Sequence, residues 1–348
     1  MGADRTKRWL SRAPLALLVL LVVAGIGHGH QLTSAMSRLT HLRWAWLVIA
    51  LGLEVASMVV FAQIQQRLLR AGNVRMGLGE MTAITMAGNA LSLSLPGGVA
   101  WGASFVFGRL RRRGADGVVA GWVVLVTGAL GSFALFLVVA VGIELAGGRG
   151  PAAHLRVLAA ALAAVPVVAG GVAAVGRRST RARLPFVGSC APVLGRLVQR
   201  VRVVRLDLRG WVGTGALAAL NWLDDCACLV ACVWAVGGSV PWRGLLVAYG
   251  LAQVAASVPV VPGGIGVVEG SLSFFLMAYG MPPADALASV LLYRIVSFWA
   301  IVPVGWGIWG CITLGEHRSR RVAGLKSGPG CRLVTPGTDG SPPLELAA

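Results

Sequence analysis

Two Pro-Gly-Gly motifs interrupt apolar stretches of the sequence. They lie at Pro96, Gly97 and Gly98 and at Pro262, Gly263 and Gly264. A helix that resumes after such a turn begins with N–H groups that lack an intrahelical partner and with the positive end of its dipole. Glycine lets the backbone approach a ligand closely, and such helix ends favour phosphate. We therefore interpret the two turns as candidate elements for binding a phospholipid headgroup; the alternative is that Pro and Gly merely kink packed helices.

Glu269 and Arg294 are charged residues within otherwise apolar stretches of the second half. An ionised group at membrane depth costs at least about 2.5 kcal/mol, so it usually faces the protein interior with a partner. Both residues lie about two turns into their predicted helices, at depths that allow them to meet. Our hypothesis is that the pair shapes an anionic headgroup site. The alternative is a structural salt bridge that only specifies packing.

A second set of carboxylates, Glu54, Asp224 and Asp225, falls near the middle of two predicted spans. Such groups are candidates for proton coupling or for recognising a cationic group such as an amine. Hydrogen bonding with Asn221, or exposure to an interior cavity, would explain them equally well. Adjacent residues of a helix point about 100° apart, so at most one of Asp224 and Asp225 is expected to face a given site.

Neither metal nor cofactor chemistry is indicated. The three histidines between His28 and Arg43 have no further ligands nearby, and Cys226, Cys228 and Cys232 are interpreted as small packing residues. No G-x-S-x-G, Walker or H-E-x-x-H motif occurs. We therefore expect no metal, no cofactor and no enzymatic activity.

The composition indicates whether these residues lie in a membrane or in water. Hydrophobic residues make up 56% of the 348 and charged residues only 13%, which is too little polar surface to cover a water-soluble globule. The sequence therefore predicts a multispanning membrane protein.

The basic residues behind the net charge of +18 are distributed unevenly over the loops. Of the 31 Lys and Arg, 25 fall in alternate loops, five in the opposite loops, and Arg294 lies inside a span. This positive-inside pattern places the basic loops and both termini in the cytoplasm, for a protein of the cell (inner, cytoplasmic) membrane. It explains the charge without nucleic acid and favours contact with anionic lipid headgroups.

The chain is predicted to be all-α, with six spans and two broken, re-entrant hairpins. The hairpins run from residue 80 to 108 and from 245 to 279, each turning at its Pro-Gly-Gly motif. The six spans are Pro14–Ile26, Trp44–Ala62, Gly117–Ile143, Leu155–Val175, Trp211–Val236 and Ala286–Thr313. The first could also be a signal peptide, but no small-x-small cleavage site follows, which favours a retained helix.

The order span, span, hairpin, span occurs twice, in halves of about 10–150 and 151–316 within a single transmembrane domain. Positive-inside counting puts the ends of the first hairpin in the cytoplasm and those of the second outside, so we predict inverted repeats. Broken helices at matching positions of inverted halves point to a transport site near the midplane. Residues 317–348 are a basic tail that we predict to be disordered and cytoplasmic.

The Pro-Gly-Gly-Ile-Gly-Val-Val-Glu stretch at 262–269, the Leu-Leu-Tyr-Arg at 291–294 and Trp299 resemble the transmembrane region of lysylphosphatidylglycerol synthases. The resemblance covers about residues 10–315 and includes stand-alone, flippase-like proteins. In the full-length synthases this region is linked to lipid translocation, while a separate cytoplasmic domain transfers the aminoacyl group. Only a short tail follows Thr313, so the resemblance implies the membrane half of that function and argues against aminoacyl transfer.

We therefore expect a lipid flippase or transporter that moves a phospholipid or lipid-linked headgroup by alternating access. One alternative is a non-transporting subunit that anchors a companion lipid-modifying enzyme through its basic loops. The other is an intramembrane transferase, which the lack of a catalytic motif disfavours.

Overall fold

The computed structural model describes residues 42–147, 206–257 and 262–326, with side chains up to residue 315. All regular secondary structure in these ranges is helical, which confirms the all-α prediction. The predicted spans Pro14–Ile26 and Leu155–Val175 and the histidine-containing loop before Arg43 lie outside the described residues. The described helices are α1 (Trp44–Ala71), α2 (Leu78–Ser94), α3 (Gly98–Arg112), α4 (Gly117–Leu145), α5 (Leu208–Ala235), α6 (Trp242–Ala256), α7 (Val267–Ala278), α8 (Pro283–Arg294) and α9 (Ile301–Lys326).

Two irregular helical segments interrupt this series. A 3₁₀ turn, Pro262–Gly264, precedes α7, and a π-helical segment, Ile295–Ala300, joins α8 to α9 without a break in direction. Four stretches of the described chain are long and apolar enough to cross a membrane: α1, α4, α5 and the continuous run Pro283–Gly315. These coincide with four of the predicted spans, so the chain is a multi-pass membrane protein.

The remaining helices form two broken hairpins whose arms are short. α2, α3, α6 and α7 contain 17, 15, 15 and 12 residues. At 1.5 Å per residue, the arms are about 18–26 Å long, which is less than the roughly 30 Å of a bilayer's hydrocarbon core. Because α2 packs on α3 and α6 packs on α7, each pair is a hairpin with arms of the length expected for re-entrant segments.

The two hairpins have their open ends at opposite ends of α4. An ion pair between Glu80 and Arg113 ties the open end of the first hairpin together, and α4 starts four residues after Arg113. Near the other end of α4, Gly142 packs against Leu246 in the first turns of α6. The 29 residues of α4 therefore separate the open ends of the hairpins. Inverted halves require this arrangement, and the repeat itself stays a prediction.

The second spans of the two halves, α1 and α5, pack antiparallel along their lengths. The N–H of Arg43 donates to the carbonyl of Ala235 at 2.9 Å at one end, and Ser57 Oγ donates to Asn221 Oδ1 at 3.1 Å near the middle. Cys226, Cys228 and Cys232 are buried in the apolar core around α5 and are free thiols. Their environment agrees with the predicted packing role.

The chain divides into two compact units, the second of which starts at Trp309. In this unit helix α9 continues past Glu316 to Lys326, and Thr313 Oγ1 donates to the carbonyl of Trp309 at 2.9 Å. Residues 317–326 of the predicted tail 317–348 are thus part of α9, and residues 327–348 lie outside the described residues. The division at residue 316 stays a prediction.

The contact between α4 and α6 can be tested with a single methyl group. A Cβ at position 142 would lie 2.9 Å from both Leu246 Cβ and Val247 N, whereas a Cβ at Gly128 of the same helix would meet nothing within 4 Å. We expect Gly142→Ala to lower the free energy of unfolding by about 1–3 kcal/mol, because the helices must move apart. Gly128→Ala should be neutral or slightly stabilising. Unfolding of both purified variants in mixed micelles measures the difference, and equal stabilities would contradict the packing described.

Candidate functional site

The two Pro-Gly-Gly turns line a single cavity of about 290 Å³. Pro96, Gly97 and Gly98 form one side, and Gly263 and Gly264 form another. The remaining polar lining comes from Asn89, Ser92, Gln253, Ser257 and Arg294. The structure thus brings together turns that are 166 residues apart in the sequence.

Glycine is required in both turns by the backbone. Gly97 adopts φ 64° as the residue that precedes α3, and Gly263 adopts φ 62° inside the 3₁₀ turn. These left-handed conformations disfavour any side chain. At Gly263 there is also no space, because a Cβ would lie 2.9 Å from the carbonyl oxygen of Leu93 and would collide with the ring of Phe298. The second turn can therefore approach the end of α2 only as glycine.

Arg294 is buried at the edge of this cavity and bonds both to the second turn and to Glu269. Its side chain is 8% exposed, and its Nε donates to Glu269 Oε1 at 2.7 Å. Its Nη2 donates to the carbonyl of Gly263 at 2.9 Å. The predicted meeting of Glu269 and Arg294 is thus present in the structure, with the ion pair joined directly to the turn.

The carboxylate of Glu269 also lies at the start of α7, where we predicted N–H groups without a partner in the protein. Its Oε2 accepts from the N–H of Gly266 at 2.6 Å, so one carboxylate caps α7 and pairs with Arg294. Helix α7 begins at Val267, three residues after the Pro-Gly-Gly turn, rather than at the turn itself. At the first turn, by contrast, α3 begins at Gly98. At α7, therefore, the protein supplies its own anion at the helix start, and the role of the two turns in binding a headgroup stays a prediction.

A π-helical segment positions an aromatic ring against Arg294. The segment starts at Ile295, and the guanidinium carbon of Arg294 lies 4.6 Å from the centre of the Phe298 ring. Single π-helical turns often occur at functional sites, because they change the register of the side chains that follow. The ring therefore lies against both the guanidinium and Gly263. The sequence analysis did not anticipate Phe298, since an extra residue in a helical turn has no composition signal.

Of the predicted carboxylates, Glu54 and Asp225 come together and Asp224 does not join them. Glu54 on α1 is 3% exposed, and it faces Asp225 on α5 about one turn from the hydrogen bond between Ser57 and Asn221. Asp224 takes no part in this contact, as expected from its different direction on the helix. Asn221 accepts from Ser57 instead of bonding to the carboxylates, so the alternative through Asn221 is not what the structure contains.

Three further side chains converge on Asp225, all of which the sequence analysis missed. Tyr249 donates to Asp225 Oδ2 at 2.5 Å, Gln253 donates to the same atom at 2.9 Å, and Tyr293 donates to Oδ1 at 2.9 Å. A signal did exist: the chain has only three tyrosines, and one of them follows Leu-Leu directly before Arg294. Because Tyr293 and Arg294 are adjacent on α8, they point in different directions, one towards Asp225 and the other towards Glu269.

The chemistry available in the cavity is recognition of an anion by hydrogen bonds. Arginine carries five N–H donors, of which two are engaged by Glu269 and Gly263, while the amides of Asn89 and Gln253 and the serine hydroxyls add neutral donors. No group of three or more potential metal-ligating side chains is found among the described residues. The set suits a phosphate, whose oxygens accept several such bonds.

The partly buried ion pair of Glu269 and Arg294 can be compared with a more exposed pair in the same protein. We expect Glu269→Gln to lower the free energy of unfolding by about 3 kcal/mol, because it leaves the buried guanidinium without a counter-ion and weakens the cap of α7. Glu80→Gln, at the exposed pair with Arg113, should cost less than about 1 kcal/mol. Unfolding in mixed micelles compares the two, and similar small losses would show that the cavity is wet enough to screen Arg294.

Comparisons with known proteins agree with this architecture. Two proteins of Methanothermobacter thermautotrophicus, each described as a UPF0104 membrane protein, are similar to segments of the chain. One is 29% identical over 89 residues, or 26% of this chain and 27% of the relative, and the other is 34% identical over 55 residues, or 16% of each. The aligned segments therefore span about a quarter or less of these relatives. The family model described as the lysylphosphatidylglycerol synthase TM region matches residues 10–305, and the chain belongs to that family.

Proposed function

We propose that the protein moves a phospholipid or lipid-linked headgroup across the cytoplasmic membrane, with the headgroup bound in the cavity between the two Pro-Gly-Gly turns. One observation carries the proposal. The tips of two hairpins, whose open ends lie at opposite ends of α4, line one cavity together with a buried arginine. A polar pocket at this depth is costly in lipid unless it serves a polar substrate.

The geometry supports alternating access. Each hairpin connects the cavity to a different end of α4, so a movement of either hairpin relative to the spanning helices would open the cavity towards one side only. In transporters built from inverted repeats, substrate sites lie between the repeats near the midplane, and rocking of one part against the other exposes them in turn. Broken helices at the site are typical of this class.

The size and surroundings of the cavity support a lipid with its headgroup inside and its acyl chains outside. The volume of about 290 Å³ is near the lower end of the roughly 300–1,000 Å³ common for small-molecule sites. Apolar side chains next to both turns remain uncovered: Val99 is 72% exposed and Ile265 is 40% exposed. Acyl chains could lie along these side chains within the bilayer while the headgroup crosses.

The remaining features of the proposal come from the sequence. The positive-inside pattern supports cytoplasmic termini and the cytoplasmic membrane. The family connects the chain with a region of lysylphosphatidylglycerol synthases, which makes anionic glycerophospholipids the first substrates to test. We propose that the chain acts as a transporter rather than an enzyme and that it works without a companion protein.

Reconstitution of the purified protein into liposomes tests the proposal. The measurement is the rate at which a headgroup-labelled phosphatidylglycerol becomes protected from a quencher outside the vesicle. We expect the double variant Glu269→Gln/Arg294→Gln to reduce this rate by about tenfold or more, because hydrogen bonds to a charged group contribute about 1.5–3 kcal/mol. Removing both charges together avoids leaving either one buried and unpaired.

The matched control is Arg243→Gln, which removes an exposed arginine at the start of α6 that does not line the cavity. It should transport like the wild type. Transport by the protein alone would exclude the role of a passive anchoring subunit. A wild-type rate in the double variant would remove Arg294 from the transport site, and no movement of any lipid in a panel of anionic and aminoacylated species would refute the proposed function.

A further inference from the structure

The contact between Glu54 and Asp225 presents a problem of charge that the headgroup site does not explain. Helices α1 and α5 pack antiparallel, and about one turn from the hydrogen bond between Ser57 and Asn221 the buried carboxyl group of Glu54 faces that of Asp225 across their interface. Two carboxylate oxygens cannot bond to one another unless a proton lies between them. Two full negative charges in contact inside a membrane protein would also repel strongly.

A second observation concerns the atoms of Glu54. This residue is 3% exposed, and its Oε2 receives no hydrogen bond from any group among the described residues. Asp225, in contrast, accepts from three donors, Tyr249, Gln253 and Tyr293. The donors therefore stabilise a charge on Asp225, while no side chain among the described residues donates to Glu54 Oε2. A proton on Glu54, donated to Asp225, satisfies both groups.

The neighbours of the pair favour a proton over a metal or an amine. Among the described residues, the titratable groups that lie near the pair are Tyr249 on α6, Tyr293 on α8, and Cys226, Cys228 and Cys232 on α5. None of these is a cation. Because both tyrosine hydroxyls and the Gln253 amide direct hydrogens at Asp225, they occupy three of its roughly four lone-pair positions, which disfavours a cation bound there.

Gln253 connects this pair with the headgroup cavity. Its side-chain nitrogen donates to Asp225 Oδ2 and lies 3.3 Å from the hydroxyl of Tyr293, and the residue also lines the cavity. A headgroup in the cavity can therefore compete with Asp225 for the amide of Gln253. Loss of that hydrogen bond would make a negative charge on Asp225 less favourable and the bound proton more favourable.

We propose that Glu54 and Asp225 form a proton-binding site beside the headgroup cavity, and that Gln253 couples its proton to an anionic headgroup in that cavity. The proton site stands on the geometry alone; the coupling rests on the proposed function. Binding of the headgroup favours protonation, and by linkage protonation favours binding of the headgroup to the same extent.

Infrared spectroscopy of the purified protein in lipid nanodiscs tests the proton site without transport. The wild type should show the C=O stretch of a buried protonated carboxyl group, which disappears at high pH. Glu54→Gln should remove this band, since the amide supplies the same hydrogen to Asp225 permanently and preserves the packing. Asp224→Asn is the matched control and should retain the band, because Asp224 is outside the network.

Two outcomes would overturn the proton site. One is a wild-type protein without a titrating buried carboxyl band, and the other is a band that survives in Glu54→Gln. A band that appears only when sodium is removed from the buffer would also contradict it, because the pair would then be a site for a monovalent cation.

The coupling is tested by comparing nanodiscs of phosphatidylglycerol with nanodiscs of phosphatidylcholine. An anionic surface by itself raises the local proton concentration, so the diagnostic quantity is the part of the shift that depends on Gln253. We expect the pH at which the band is half lost to be about one unit higher in phosphatidylglycerol for the wild type, a tenfold coupling. In Gln253→Leu most of this difference should vanish while the band remains; an equal shift in both proteins would overturn the coupling.

The proton site and the proposed transport can fail separately. A Glu54-dependent band in a protein that moves no lipid would refute the proposed function and leave the proton site in place. Lipid movement by a protein without such a band would refute the proton site and leave the proposed function in place.

Discussion

An arginine side chain enclosed at membrane depth needs a negative partner and hydrogen-bond acceptors within reach, since lipid supplies neither. Arg294 meets this requirement with Glu269, with the carbonyl of Gly263 and with the ring of Phe298. These three partners come from the start of α7, the 3₁₀ turn and the π-helical segment. The irregular parts of the second half are therefore arranged around one guanidinium, and each of them would lose a contact if that group moved.

The same constraint explains why the helices break where they do. A helix that ends inside the protein exposes carbonyl and N–H groups that must find partners. At the second turn, Arg294 takes a carbonyl and Glu269 takes the N–H of Gly266. The ion pair thus serves both its own charges and the backbone between the 3₁₀ turn and the start of α7.

Helix α8 connects the two polar centres of the molecule. Consecutive residues, Tyr293 and Arg294, reach the carboxylate network and the turn respectively. On α6, Gln253 contacts the network and also lines the cavity. Rotation or displacement of α8 would therefore change both centres at once. Such a shared element is a physical requirement for coupling between two sites, because both must bias the equilibrium of the same structure.

Much of the architecture could be predicted from the sequence because it depends on local composition. Apolar runs of sufficient length identify spans, Pro-Gly-Gly marks a break in any helix, and the cost of burying Glu269 and Arg294 required a partner for each. Those properties are set by a residue and its near neighbours in the chain, whatever the rest of the fold does. Helix geometry likewise implied that at most one of Asp224 and Asp225 would face a given site, since adjacent residues point about 100° apart.

What only the tertiary structure decided is which groups meet. The selection of Asp225 over Asp224 follows from the antiparallel packing of α1 on α5, and its donors come from α6 and α8, up to 68 residues away. The cap that Glu269 places on α7 depends on the backbone at Gly266, whose φ is 82°. Phe298 reaches Arg294 through a π-helical turn. These contacts depend on the register between helices, which is determined by side-chain packing over the whole interface and leaves no periodic signal in any single segment.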